Sequence, residues 1–144
     1  MRIAYAVLAT VSLSLTLMAA DSFEGTWKLN LAKSKLQCSD TVSQTMKITG
    51  SSPNSQRTMS DIVSKSGAHH QRKRYHIFDG KEHPLEGEKG ATEISQRVDA
   101  STAKSIFKRD GKVVGETTAT VSGDVLTNHS VFGKCEDTLI FEKQ

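Results

Sequence analysis

Short alternating segments separated by turn residues dominate this chain and restrict its fold more than any other feature. From Asp21 onward, no stretch of ten or more residues repeats apolar side chains at helical spacing. About ten segments alternate apolar and polar residues instead, and dipeptides such as Asp110-Gly111 and Gly123-Asp124 stand between them. Such spacing is typical of an all-β meander, sandwich or barrel.

The strands can be assigned from the alternation and the turns. In chain order we predict 23–29, 41–48, 57–63, 69–78, 81–85, 93–98, 102–108, 113–122, 125–132 and 135–142. Asp79-Gly80 is the strongest hairpin motif, because a type I′ turn needs positive φ, which this dipeptide tolerates. It predicts a hairpin between the fourth and fifth strands. Tight sequential turns favour an up-and-down order over a Greek key, which needs a long return connection.

Edge strands then favour closure. An open ten-stranded meander would expose two unpaired edges, and closing the sheet removes that aggregation hazard. We therefore predict an all-β fold, a closed or nearly closed up-and-down antiparallel barrel of about 8–10 strands. If the first and last strands pair antiparallel, Cys38, which follows the first strand, lies near Cys135, which opens the last.

The first twenty residues read as an export signal. Arg2 precedes an apolar run over 3–17, and Met18-Ala19-Ala20 supplies small residues for cleavage near Ala20. The run is shorter than the roughly 20 residues that span a bilayer, which disfavours a membrane anchor. We expect a signal peptide over 1–20, a barrel domain over 21–144, and a periplasmic or extracellular location.

Export bears on the two cysteines. An oxidising compartment favours a disulfide between Cys38 and Cys135. Two free thiols and a metal pair are the alternatives, but neither cysteine lies in a CxxC motif or beside a histidine.

Charge and motifs exclude several function classes. Lys and Arg number 19 against 16 Asp and Glu, a net charge of +3 that is too small for wrapping nucleic acid. A G-x-S-x-G elbow, an H-E-x-x-H motif, a P-loop and a Rossmann glycine pattern are absent from the sequence. We therefore expect no enzyme activity and no cofactor, although barrel enzymes can assemble sites from scattered residues.

The opening of the barrel domain resembles a known group. Phe23-x-Gly25-Thr26-Trp27-Lys28-Leu29 is similar to the first strand of the calycins, which include the lipocalins and fatty-acid-binding proteins. Residues 25–35, GTWKLNLAKSK, resemble small exported bacterial proteins with a lipocalin-like domain, and Asp79-Gly80-Lys81, Pro84 and Gly87 also match that group. This resemblance implies a calycin-like barrel.

Two departures from the fatty-acid-binding proteins stand out. That family places a helical pair between its first two strands, whereas only residues 31–40 are available here. It also clamps a ligand carboxylate with an Arg-x-Tyr pair in the last strand. Leu139 and Phe141 occupy the matching positions, and neither can make such a hydrogen bond.

A ligand inside the barrel would meet inward-facing residues. As ligand-binding residues we predict Trp27, Met46, Arg72, Arg74, His76, Phe107, Leu139 and Phe141. Trp27 could form the floor of a pocket or plug the closed end of the barrel. Other side chains expected inside are Met59, Ile62, Phe78 and Phe132.

The fourth predicted strand carries an unusual set of charges. His70, Arg72, Arg74 and His76 share one face, and His69, Gln71, Lys73 and Tyr75 share the other. The arginines would repel a cation and adjacent histidines point apart, so we expect no metal site despite the nearby His83. An inward Arg72 or Arg74 could meet an anionic ligand; a solvated strand face is the alternative.

These features favour an exported barrel that binds a small, mainly hydrophobic or amphipathic ligand in its interior. The alternative is an envelope or secreted interaction module that uses loops at one barrel end, such as those around Lys33–Lys35 or Gly87–Gly90. An isomerase or hydrolase would need a polar pocket with a shifted titratable group such as His76 or Asp137.

Overall fold

The computed structural model describes residues 19–144, so the predicted signal peptide lies outside the described residues except for its last two. Ten strands make up the fold: β1 Gly25–Leu29, β2 Thr41–Thr49, β3 Ser55–Ser64, β4 His69–Ile77, β5 Asp79–Pro84, β6 Ala91–Asp99, β7 Thr102–Arg109, β8 Lys112–Ser122, β9 Val125–Phe132 and β10 Cys135–Lys143. Their ends lie within about two residues of the predicted bounds. One 3-10 turn, Leu31–Lys33, follows β1. Within residues 19–144, no helix has the length and apolarity to cross a bilayer.

The strands form one antiparallel sheet in the order β4-β3-β2-β1-β10-β9-β8-β7-β6-β5. The terminal strands meet as predicted, with Trp27 opposite Lys143 and Leu29 opposite Phe141. The sheet therefore curls into a nearly closed barrel whose first and last strands form an internal seam.

The disulfide predicted between Cys38 and Cys135 is present beside this seam. Its sulfur atoms lie 2.10 Å apart and the two Cα atoms 5.6 Å apart. The loop after β1 is thereby tied to the start of β10, and Lys35 bridges Thr138 on the same strand.

The predicted hairpin at Asp79-Gly80 is wrong. Along the part of the chain that the structure describes, no backbone ladder joins β4 to β5; each is an edge of the sheet, and Phe78 alone separates them in sequence. The dipeptide instead opens β5 with a bulge against β6, where the register shifts between Asp79 and Glu82. Gly80 does adopt positive φ, at 71°, which suits a bulge as well as a turn.

A hydrophobic cluster fills one end of the barrel. It consists of Phe23, Trp27, Ile48, Ala103, Val121, Leu126 and Phe141. Trp27 is completely buried, and its indole Nε1 donates to the Phe23 carbonyl over 2.9 Å, which satisfies the one polar atom of this side chain. The Trp27 side chain therefore plugs the closed end, one of the two roles considered for it.

Candidate functional site

A cavity of about 580 Å³ lies above this cluster, inside the barrel. Its floor includes Phe23, Ile48 and Leu126, and its walls reach the opposite strand ends at Thr41, Arg109 and Phe132. Successive side chains of a strand point to opposite faces of the sheet, so every second residue of the curled strands faces this space. The volume falls within the range of about 300–1,000 Å³ usual for small-molecule pockets.

Seven of the eight predicted ligand-binding residues line this cavity: Met46, Arg72, Arg74, His76, Phe107, Leu139 and Phe141. Trp27 lies outside the lining, in the core cluster below. Ile62, Phe78 and Phe132 also line it, as expected for interior residues. Whether these side chains contact a ligand stays a prediction.

Met59 was expected inside, and this prediction is wrong. Its register partners are Lys47 and Lys73, and its side chain is exposed. Alternation within one strand cannot place both Met59 and Ile62 on the same face, and Ile62 is the buried one.

Sequence reasoning also missed a polar set in the wall. The lining includes Gln44, Gln56, Thr58, Ser60, Ser105, Thr117, Asn128 and Ser130. Outside the fourth strand, interior residues were chosen by their hydrophobic type, whereas strand parity would have found these polar positions. Thr58 and Ser60, for example, follow from Ile62 by steps of two. The cavity is therefore apolar at its floor and mixed along its walls.

The inner face of β4 contributes two arginines and two histidines to the cavity wall. His70, Arg72, Arg74 and His76 all line the cavity, so the predicted grouping on one face is confirmed. Arg74 pairs with Glu88 in the loop after β5, and Arg109 reaches the other oxygen of that carboxylate at 3.4 Å.

A second side-chain pair crosses the slit between β4 and β5, which are the two edges of the sheet. His76 Nδ1 lies 2.8 Å from Oε1 of Glu93 on β6, and the Glu93 side chain is only 6% exposed. Burial by itself raises the pKa of Glu93, but hydrogen bonding and charge from His76, with hydrogen bonds from Ser95 and Ser105, bring it below its ordinary value. The His76–Glu93 contact thus joins β4 to β6 across the slit, where the backbone ladder between β4 and β5 is missing.

Arg72 differs from its neighbours. Within residues 19–144 its guanidinium has no carboxylate partner and no hydrogen bond, although the side chain lies in the cavity wall. Burial lowers the pKa of Arg72, the Arg74 charge lowers it further, and Glu88 opposes both effects. The Arg72 side chain is nevertheless exposed.

The Asp137 carboxylate has a structural role. Its carboxylate accepts the backbone N–H groups of Gln37, Cys38 at 3.1 Å and Ser39 at 3.2 Å, and so positions the loop beside the disulfide. This leaves Asp137 poorly placed as an acid or base. Among the residues from 19 to 144, no three His, Cys, Asp or Glu side chains are grouped to hold a metal ion.

Comparison with known proteins supports the fold. No family model matches the sequence, and no curated protein matches it significantly. The chain is similar in structure to the wild-type fluorescent protein UnaG, with a TM-score of 0.63 and 16% identity over 88% of this chain and 100% of that one. A Schistosoma mansoni fatty-acid-binding protein in complex with arachidonic acid gives 0.62 and 12% over 85% and 96%. Human cRBP IV gives 0.60 and 15% over 85% and 98%.

At these identities the likeness shows the fold alone. The neighbours are fatty-acid-binding-protein-like barrels of the calycin type, so the predicted fold class is confirmed.

Proposed function

We propose that this protein is an exported barrel that binds a small, mainly hydrophobic ligand in its interior. The single observation that carries the proposal is the 580 Å³ cavity above an apolar floor. Burial of apolar ligand surface there contributes about 25 cal/mol per Å². The polar walls favour a ligand with one polar end over a pure hydrocarbon.

The solved structures support the same idea. One neighbour of similar fold holds arachidonic acid, an amphipathic molecule. The alternative, an interaction module that works only through its loops, predicts a filled interior. An open cavity therefore favours ligand binding over that alternative.

A paired substitution tests the ligand site. Ala119 lines the cavity on β8, whereas the adjacent Thr120 faces solvent. We expect titration with a fluorescent fatty acid, 11-(dansylamino)undecanoic acid, to show saturable binding that Ala119→Phe abolishes and Thr120→Phe preserves. No saturable binding, or equal loss in both variants, would contradict the proposal.

Export is tested separately. If residues 1–20 direct secretion, the secreted protein begins near Asp21, and its N-terminal sequence can be read directly. Deletion of residues 2–18 should retain the protein inside the cell. An unprocessed N-terminus in the mature protein would argue against export.

A further inference from the structure

The first five residues of β4, His69–Lys73, form an uncovered part of the sheet edge within the described chain, residues 19–144. All five are exposed, on the inner face of the strand as well as on the outer one. Side-chain contacts across the slit begin at Arg74, which pairs with Glu88. They continue at His76, which pairs with Glu93. The slit is therefore open along His69–Lys73 and bridged by side chains farther along β4.

Two hydrogen bonds at the ends of the β3–β4 ladder determine which backbone groups point to the free side of β4. The Ser64 N–H donates to the Ala68 carbonyl over 3.0 Å at one end. The Phe78 N–H donates to the Asn54 carbonyl over 2.7 Å at the other, and the register between them is regular. Residues that exchange hydrogen bonds alternate with residues that do not in an antiparallel ladder. The even-numbered residues of β4 therefore bond to β3, and the odd-numbered residues direct their N–H and C=O groups away from it.

His69, Gln71 and Lys73 thus present backbone donors and acceptors at the open part of the edge. Among residues 19–144, these groups have no backbone partner on that side. The Lys73 carbonyl accepts a long hydrogen bond, 3.4 Å, from the Arg74 guanidinium. An unpaired row of this kind is a template for one more strand.

Charge determines which strand fits this edge. Within the described residues, neither Arg72 nor Lys73 has a carboxylate partner. Arg72 lies on the inner face of β4, and Lys73 lies on the outer face because successive side chains alternate. An added strand places one side chain beside each of them, so two adjacent acidic residues form favourable cross-strand pairs and basic residues form unfavourable ones. The same charges disfavour pairing of two copies of this chain through β4.

We propose that the His69–Lys73 edge is a docking site for an acidic segment of a partner protein, which binds in extended conformation as an additional strand. In this mode of recognition, backbone hydrogen bonds supply affinity and side-chain pairs supply specificity. Basic residues on an exposed edge protect a sheet against aggregation, because they disfavour pairing with apolar or basic strands. An acidic strand meets no such barrier. The inference goes beyond the proposed function and does not depend on ligand binding in the cavity.

A pair of peptides tests the charge preference. The probe is the peptide Thr-Val-Glu-Glu-Val-Thr with an N-terminal fluorescein and a C-terminal amide, and its control has Gln in place of both Glu residues. We expect fluorescence anisotropy to show saturable binding of the probe and about three- to tenfold weaker binding of the control, the effect of two cross-strand charge pairs. Arg72→Gln/Lys73→Gln should remove this difference. Lys104→Gln, which removes an exposed charge on β7, should leave it unchanged.

Amide hydrogen exchange tests the strand geometry. In the protein alone, the N–H of Arg72 should exchange slowly because it bonds to β3, whereas the N–H groups of Gln71 and Lys73 should exchange fast. The bound probe should slow exchange at Gln71 and Lys73 by about tenfold or more, the effect of a new hydrogen bond. Gln71→Pro removes an N–H that faces the free edge and spares the ladder with β3, so it should weaken binding about tenfold.

Several outcomes would overturn the docking site. Lack of saturable binding, or equal affinity for the acidic peptide and its Gln control, would do so. Binding that leaves exchange at Gln71 and Lys73 unchanged would also contradict it. Dimers of the protein alone that Gln71→Pro dissociates would assign the edge to a second copy instead. Ala119→Phe should not affect peptide binding, so this test and the ligand titration can fail independently.

Discussion

Arg97 Nη2 donates to Asp21 Oδ1 over 2.9 Å, although 76 residues separate the two in sequence. The Arg97 guanidinium also lies over the rings of Phe23 and Phe78, at 4.2 and 5.0 Å from their centroids. The segment before β1 is thus attached to β6 across the closed end of the barrel, beneath the cavity.

Arg97→Met should therefore loosen the closed end. We expect the free energy of unfolding to fall by about 1–3 kcal/mol, the contribution of hydrogen bonds to charged groups, because Asp21 loses its charged partner and keeps the hydrogen bonds from Ser51 and the Phe23 N–H. Chemical denaturation measures this loss. A double-mutant cycle with Asp21→Asn should show coupling between the two sites; strictly additive effects would exclude the interaction.

Lowering the pH should reduce the free energy of unfolding through protonation of Glu93. The pKa of this carboxyl lies below its ordinary value of 4.5, so its ionised form contributes stability above that pH. The contribution is lost as the pH falls through the pKa of the folded state. We expect Glu93→Gln to flatten the decline of unfolding free energy below about pH 5. The exposed Glu86→Gln variant serves as control, and an unchanged pH profile in Glu93→Gln would refute the role of the pair.

Removal of the disulfide should destabilise the barrel without changing its topology. The bond joins residues 97 apart, and the chain-entropy model gives a loss of roughly 4–5 kcal/mol at most. Urea unfolding of the Cys38→Ser/Cys135→Ser variant measures it. Reductant should lower the stability of the unmodified protein and have no effect on the variant; insensitivity of both would show that the thiols are free.

Gly115→Ala should disturb the open end. A Cβ at Gly115 would overlap the ring of Phe132, which packs on Phe107 with centroids 5.5 Å apart. Overpacking of this kind costs about 1–3 kcal/mol. We expect a lower melting temperature for Gly115→Ala and recovery when Phe132→Leu is added. Failure of the second change to restore stability would show that the ring is not the obstacle.

Alternation and turn residues predicted the strands and the β1–β10 seam, because both depend on local patterns and on the cost of unpaired edges. The Cys38–Cys135 disulfide followed from that seam. The slit between β4 and β5 could not be predicted in this way. Asp79-Gly80 supports a bulge and a hairpin equally well, and the choice depends on partners such as Gln96 on β6.

The candidate site was predictable only in part. Strand parity grouped Arg72 and Arg74 on one face, but their different roles depend on Glu88, which a loop brings to Arg74. The buried Thr58 hydroxyl, which has no hydrogen-bond partner within residues 19–144, likewise depends on packing. Residue type alone cannot report which polar groups find partners.

The single-residue passage through Phe78 has a mechanical consequence. It holds the two sheet edges together at one end, and the Phe78 N–H donates to the Asn54 carbonyl over 2.7 Å, which anchors this pivot to the turn before β3. We therefore expect any separation of β4 from β5 to begin at the end of the slit away from Phe78 and to spread toward Phe78. Arg74 lies farther from Phe78 along β4 than His76 does. The Arg74–Glu88 contact would therefore separate before the His76–Glu93 contact when a ligand enters through the slit.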